Sequence, residues 1–227
     1  MLFRSVVSDP LPRPKGILFD WDNTLVDNWS AIHESINRTL VAMGQRPWSV
    51  EETRRNVAKS LRDSFPVMFG DRWEEARDIF YASFEVLHLE KLKPLAGAAD
   101  LLAGLKARGL YLAIVSNKTG RYLRREAEHL GWNGYFTRLV GATDAAADKP
   151  AVACVDLALR DSGLRRGRDI WFVGDGAIDM ECAAAAELTP IFFGQKTALS
   201  PQAPEPAWFC PDCDSVLDLV VGHLSPI

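Results

Sequence analysis

No apolar run in this chain approaches the length of a membrane span, so no membrane partner is expected. Basic charge is not in excess either: 26 Lys and Arg stand against 30 Asp and Glu, a net charge of −4, with an isoelectric point near 5.6. That balance argues against a nucleic-acid footprint. Met1-Leu2-Phe3-Arg4-Ser5 is not a basic region leading into a long apolar one, so no signal peptide is read and a cytoplasmic location is the expectation. Cysteine and histidine are scarce, four of each. His33, His88, His129 and His223 are scattered without ligand spacing, and Cys210-Pro211-Asp212-Cys213 has no second pair to complete a structural zinc site. A redox C-x-x-C more usually opens a helix near the start of a domain, so Cys210 and Cys213 read as incidental loop thiols. Cys154 and Cys182 fall in Ala-rich helical segments and read as packing residues. Internal repeats and low-complexity tracts are absent.

What is present suits an ordinary globular protein: 48% hydrophobic and 25% charged residues over 227 positions, enough for one large domain or a core with a small insert. Pro10, Pro12 and Pro14 mark an extended lead-in. An apolar strand is predicted near 16–20. Residues 28–92 are then helical in pattern, with Ile32, Ile36, Leu40 and Met43 at helical spacing and a capping box at Ser49-Val50-Glu51-Glu52. Asp71 is read as the cap of a further helix that places Ala76, Ile79, Phe80, Phe84 and Leu87 on one side. Trp73, Phe80 and Phe84 read as the core of this block rather than as a stacking platform. From Pro94 the pattern alternates. Strands are predicted at 110–115, 138–141, 170–173 and 190–193, and helices near 97–108, 120–130, 150–162 and 177–187, three of them closed by Gly109, Gly131 and Gly163. Such alternation implies an α/β fold, a Rossmann-like doubly wound parallel sheet covered on both faces. The expected division is a core of 1–27 and 93–227 with an inserted helical cap of 28–92.

Ligands of such sheets bind beyond the carboxyl ends of the strands, and four of those ends carry chemistry. The first delivers Asp20-Trp21-Asp22-Asn23-Thr24. Two carboxylates two residues apart at a strand end destabilise the fold unless compensated. A divalent cation compensates them well, and one of the pair is then able to attack phosphorus. The second end delivers Ser116 and Asn117, the third leads to Asp148-Lys149-Pro150 at a helix start, and the fourth delivers Gly174-Asp175-Gly176-Ala177-Ile178-Asp179. Asn117 and Lys118 are open between orienting the loop, touching substrate and making a turn.

This ordered set resembles the haloacid dehalogenase superfamily, in particular its capped, phosphoglycolate phosphatase-like members. The resemblance rests on D-x-D-x-T at Asp20, Asp22 and Thr24, a serine after an apolar strand at Ser116, a helix-start lysine at Lys149, and an acidic G-D-x-x-x-D at Gly174, Asp175 and Asp179. It covers the core, about 15–27 and 93–220. Asn23 and Gly176 stand where the family more often has Gly and Ser. The resemblance implies a Mg²⁺-dependent phosphatase of a small phosphorylated metabolite. Asp20 would be the nucleophile that forms an aspartyl-phosphate, and Asp22 the general acid and then base. Ser116, Asn117 and Lys149 would face the phosphoryl group. Mg²⁺ would sit on the Asp20 carboxylate, the Asp22 backbone carbonyl and Asp175, with Asp179 bound directly or through a water. A β-phosphoglucomutase-like phosphomutase keeps the same residues and is the alternative; a non-catalytic phosphate-binding regulator is a further one. Asp22 argues against dehalogenation. Whether the protein is a monomer or a homodimer is left open.

Overall fold

In the computed structural model, which describes residues 11–57 and 59–224, the run Gly16–Phe19 forms β1, and every one of its residues is buried. Pro10 and the Met1–Ser5 reading lie outside the described residues. The remaining strands of the main sheet are β4 (Tyr111–Thr119), β5 (Arg138–Ala142), β6 (Ile170–Gly174), β7 (Thr189–Phe193) and β8 (Trp208–Cys210). They make a six-stranded sheet in the order β5-β4-β1-β6-β7-β8, parallel at every pairing. Phe19 registers with Ile114 on one side and Val173 on the other, so Asp20, Ser116 and Asp175 leave the sheet at one edge. The chain moves outward from β1 through β4 to β5, then returns to the far side of β1 for β6. That reversal opens a crevice at the β1 end.

Both faces of the sheet are apolar, which is why its strands read as unbroken hydrophobic runs. Ile17, Phe19, Leu112, Ile114, Trp171 and Val173 point to one face. They pack against α5 (Ala98–Ala107), α6 (Gly120–His129) and α9 (Cys213–Leu224). Leu18, Ala113, Val115, Ile170 and Phe172 point to the other, against α7 (Val152–Leu159) and α8 (Ala177–Ala185). Phe172 is fully buried, and such burial stabilises by about 1.5–3 kcal/mol.

Between β1 and β4 lie α1 (Trp29–Ala42), α2 (Val50–Asn56), α3 (Leu61–Phe69) and α4 (Trp73–Glu90). Helices α1 and α4 pack through Ile32, Phe84 and Leu87, and further along through Ile36, Leu40 and Ala76 with Phe65 of α3. Tyr122 of α6 joins the first of these clusters and fastens the helical segment to the sheet layer. The capping box forms as read: Ser49 Oγ accepts from Glu52 N, and Glu52 accepts from Ser49 N. Where the segment leaves and rejoins the core, β2 (Val26–Asp27) pairs antiparallel with β3 (Lys93–Pro94), a ribbon too short to leave a sequence pattern.

Several expectations are corrected. Asp71 caps no helix; it sits in a 3-10 turn, Gly70–Arg72, that feeds straight into α4 at Trp73 without a side-chain cap. The second core strand runs on to Thr119, with an irregular register between Val115 and Thr119, so Ser116 and Asn117 lie inside it rather than after it. The helix expected to reach 162 stops at Leu159. Cys210 and Cys213 are not loop thiols: they close β8 and open α9, and both are buried. Burial pushes these thiols up to about 12 and about 11, far from a reactive thiolate. Among the described residues no helix is long and apolar enough to cross a membrane.

Candidate active site

Asp20 follows β1 and is anchored there by its backbone N–H, which donates to Val173 O at 2.9 Å. Lys149 reaches it from the loop between β5 and α7. Its Nζ donates to Asp20 Oδ1 at 2.7 Å and to Asp179 Oδ1 at 2.6 Å. The lysine backbone is held by Asn117, whose Oδ1 accepts from Lys149 N (2.9 Å) and whose Nδ2 donates to Lys149 O (3.2 Å). Asp179 stands in the first turn of α8, where its Oδ2 accepts from Gly176 N at 2.9 Å, a favourable place for a carboxylate. The chain passes so close that a Cβ on Gly174 would lie 2.4 Å from Asp179 Cγ, so only glycine fits there. Thr24 Oγ1 donates to Asp175 Oδ1 at 3.3 Å. Oxygens of Asp20, Asp175 and Asp179 all lie within 4.8 Å of one another.

The cluster carries more acid than base. Burial, with Asp20 and Asp179 adding to it, lifts Asp175 well above the carboxylate range. Burial also lifts Asp179 to about 6, against the pull of Lys149. Lys149 is held above the lysine range: burial alone would lower it, and Asp179 and Asp20 outweigh that. Three converging carboxylates with one lysine between them are short of positive charge. Hard oxygen donors in that state suit a small divalent cation such as Mg²⁺.

Asp22 turns away from this group. After Trp21 the chain bends through Asn23, whose φ of 64° is a left-handed conformation that asparagine tolerates better than most residues. This explains how Asn23 serves where glycine is commoner. Asp22 Oδ1 lies 2.8 Å from Lys118 Nζ. Burial lifts this carboxyl to about 6, with Lys118 opposing. Lys118 is gripped by both oxygens of Glu126, at 2.9 and 2.7 Å. Glu126 also accepts from Trp21 Nε1 (2.7 Å) and Asn28 Nδ2 (3.1 Å), and His88 Nδ1 lies at 3.1 Å. Glu126, Asn28, His88 and Trp21 are all fully buried. Burial opposes the charge on Glu126, yet Lys118 keeps its carboxyl below the usual range. The sequence reading missed Glu126 and His88. The available signal was a charged residue on a helix's apolar stripe, Tyr122-Leu123-Glu126-Ala127 and Phe84-Leu87-His88.

A family profile described as haloacid dehalogenase-like hydrolase matches residues 17–193. The chain belongs to the haloacid dehalogenase-like hydrolases. A phosphoglycolate phosphatase of Aquifex aeolicus is 28% identical over 185 residues, 81% of this chain and 83% of that one. One of Pseudomonas fluorescens (strain Pf0-1) is 25% identical over 183 residues, 76% of this chain; the match spans 66% of that relative, just under two thirds of its length. Among solved structures, a haloacid dehalogenase-like hydrolase from Streptococcus pneumoniae superposes with a TM-score of 0.80 at 21% identity, covering 91% of this chain and 98% of that one. A phosphatase predicted for Clostridium acetobutylicum gives 0.79 at 20% identity, with 92% and 99% covered. At these identities the structures speak to the fold alone.

In this haloacid dehalogenase-like chain the acidic cluster opens into a cavity of about 450 Å³. Asp20, Asp22, Ser116, Asn117, Lys149, Asp175 and Asp179 all line it, so the seven residues expected from the sequence to form the site share one cavity, while the motif residues Thr24 and Gly174 lie outside its lining. The helical segment supplies the opposite wall. Ile32, Phe65, Phe80 and Phe84 face the cavity, so Phe80 and Phe84 serve both the packing of the segment and the site. Arg54, Arg55 and Lys59 line it too, and none of them is taken up in an ion pair among the described residues. Besides the Asn28 and His88 contacts to Glu126, further bonds tie the segment over the site. Arg62 Nε pairs with Asp148 Oδ2 at 2.7 Å, and the Tyr81 and Thr119 hydroxyls meet at 2.5 Å.

Proposed function

We propose that this protein is a Mg²⁺-dependent phosphatase of a small phosphorylated metabolite, working through an aspartyl-phosphate on Asp20. The observation that carries the reading is the buried lysine Lys149 bridging Asp20 and Asp179 beside Asp175, with Asp22 held apart on a second buried lysine, Lys118. One carboxylate thus lies against a positive charge, and a second is available for proton transfer. In the first step an Asp20 oxygen bonds to phosphorus as the ester oxygen departs, taking its proton from Asp22. In the second, water bonds to phosphorus, giving a proton to Asp22, as the Asp20 O–P bond breaks and frees the Asp20 carboxylate and inorganic phosphate. Lys149 Nζ and the Ser116 hydroxyl stabilise charge on the phosphoryl oxygens. Asn117 serves the phosphoryl site by holding the Lys149 backbone. Asp20, Asp175 and the Asp22 backbone carbonyl, with Asp179 beside them, would hold Mg²⁺. When bound, it neutralises charge on the phosphoryl oxygens.

Residues 28–92 act as a cap on a core of 1–27 and 93–227, and the cap excludes water and large esters from the cavity. Arg54, Arg55 and Lys59 favour a substrate with a second anionic group, which 2-phosphoglycolate has. The relatives' activity on phosphoglycolate points the same way. The test is phosphate release from p-nitrophenyl phosphate and 2-phosphoglycolate, with Mg²⁺ and with chelator, beside Asp20→Asn. Metal-dependent release that Asp20→Asn abolishes is the expected result. Release that survives Asp20→Asn, or none from either ester by folded, Mg²⁺-loaded protein, overturns the proposal.

A further inference from the structure

The general-acid role of Asp22 makes a demand that the D-x-D motif does not meet by itself. Its carboxyl must point at the leaving oxygen, yet it follows a bend at the end of a strand and remains 18% exposed. Among the described residues Lys118 is the one cation in ion-pair contact with it. A lysine is a poor clamp when free, because its four-carbon stem has many rotamers. Here both Glu126 oxygens hold the ammonium, and the lysine side chain is 4% exposed. Glu126 also accepts from Trp21, the residue between Asp20 and Asp22. A single buried carboxylate therefore fixes Asp22 twice, through its side chain's partner and through its backbone neighbour. The remaining contacts come from Asn28, just before α1, and His88 on α4, so the grip is completed only with the helical segment seated.

We propose that Lys118 and Glu126 are positioning residues that aim the Asp22 carboxyl at the leaving oxygen, and that Asn28 and His88 make this aim depend on the seated cap. The proposal rests on Asp22 being the general acid. Neither Lys118 nor Glu126 is assigned a bond to the phosphoryl group. An acid in the right place matters most when the departing oxygen is strongly basic, and little when it leaves unaided. Losing the aim should therefore be selective for leaving group, whereas a general structural defect should not be.

The test measures kcat/KM for a series of substituted phenyl phosphates, from p-nitrophenyl phosphate to phenyl phosphate, with Mg²⁺. Wild type, Asp22→Asn, Lys118→Met and Glu126→Gln are compared. General acid–base groups contribute about 10²–10⁴-fold, and a misdirected one keeps part of that. Lys118→Met is thus expected to lower phenyl phosphate turnover about 10–100-fold while p-nitrophenyl phosphate falls less than about threefold, with the same slope change in Asp22→Asn. Glu126→Gln should show a weaker change in the same direction. If Asp22→Asn changes the slope but Lys118→Met lowers all esters equally or only raises KM, Lys118 binds substrate or merely supports the fold. The proposal then fails while the Asp22 reading stands. If Asp22→Asn itself leaves the slope unchanged, the general-acid reading fails and the proposal with it. Lys118→Met leaves Glu126 buried without its cation, so a circular-dichroism melt accompanies each variant. Should the single variant not fold, Lys118→Met combined with Glu126→Gln leaves no unpaired charge at position 126 and takes the same test.

Discussion

Replacing Lys149 with methionine removes the cation between Asp20 and Asp179 while nearly keeping its bulk. In wild type that ammonium sits 2.7 and 2.6 Å from the two carboxylates, with its side chain 2% exposed. Breaking a buried pair by removing one partner costs about 3–5 kcal/mol, because the other charge stays buried and uncompensated. A separate figure agrees. Oxygens of the two carboxylates lie within 4.8 Å of each other, and at that separation two charges repel by about 3.5 kcal/mol at an effective dielectric constant of 20. Protonation of one acid limits the loss at the upper end. For a chain of this size about 2–4 °C of melting temperature corresponds to each kcal/mol, so the variant should melt about 6–20 °C below wild type in chelator. At the proposed site, Mg²⁺ among Asp20, Asp175 and Asp179 would replace the missing positive charge. Because a ligand stabilises by its mass-action binding free energy, the variant should gain more from saturating Mg²⁺ than wild type does. The assay is a pair of thermal melts for each protein, in chelator and in Mg²⁺. A melting temperature in chelator within 1–2 °C of wild type would refute the electrostatic argument. An equal Mg²⁺ shift in both proteins would refute the claim that lysine and metal share the same carboxylates.

Three further predictions concern other parts of the molecule. Gly174→Ala places a Cβ 2.4 Å from Asp179 Cγ; it should displace the α8 turn and weaken Mg²⁺ binding at least tenfold by isothermal titration, and an unchanged affinity would show that Asp179 does not hold the site. Arg55→Ala and Lys59→Ala remove cavity-lining cations. A charged hydrogen bond contributes about 1.5–3 kcal/mol, so KM for 2-phosphoglycolate should rise about tenfold or more in at least one variant while p-nitrophenyl phosphate is unaffected, and parallel effects on both esters would contradict a second anionic group. Cys210 and Cys213, buried and pushed up to about 12 and about 11, should resist a thiol reagent at pH 8 in the folded protein and react fully on denaturation. Fast labelling of the native state would mean that β8 and α9 separate readily.

The order of motifs along the chain was enough to bring the candidate residues to one edge, because in a parallel sheet every strand delivers its carboxyl end to the same side. Asp20, Ser116, Lys149 and Asp175 could be assigned to one crevice from the alternation of apolar runs and helix patterns alone. Two-sided burial makes such strands conspicuous: Ile170–Gly174 reads as a strand because Trp171 and Phe172 must each find a different apolar face. Short or tertiary-dependent features left no such mark. The two-residue ribbon of β2 and β3 and the three-residue β8 exist through pairing with distant chain, so periodicity had nothing to register. Asp71 failed as a cap because a backbone turn between α3 and α4 had already taken its place.

Sequence by itself determined the fold class and the acidic chemistry at the strand ends, since hydrophobic periodicity and strand direction are local properties with one global solution. It could not determine what each charge faces. Lys118 was visible, but whether it points to solvent, to substrate or to Asp22 depends on Glu126 eight residues on. Glu126 in turn is fixed by Trp21, Asn28 and His88, up to 105 residues away in the chain. Electrostatic partners are set by distance in space and by the low dielectric of burial, and only the tertiary structure supplies either.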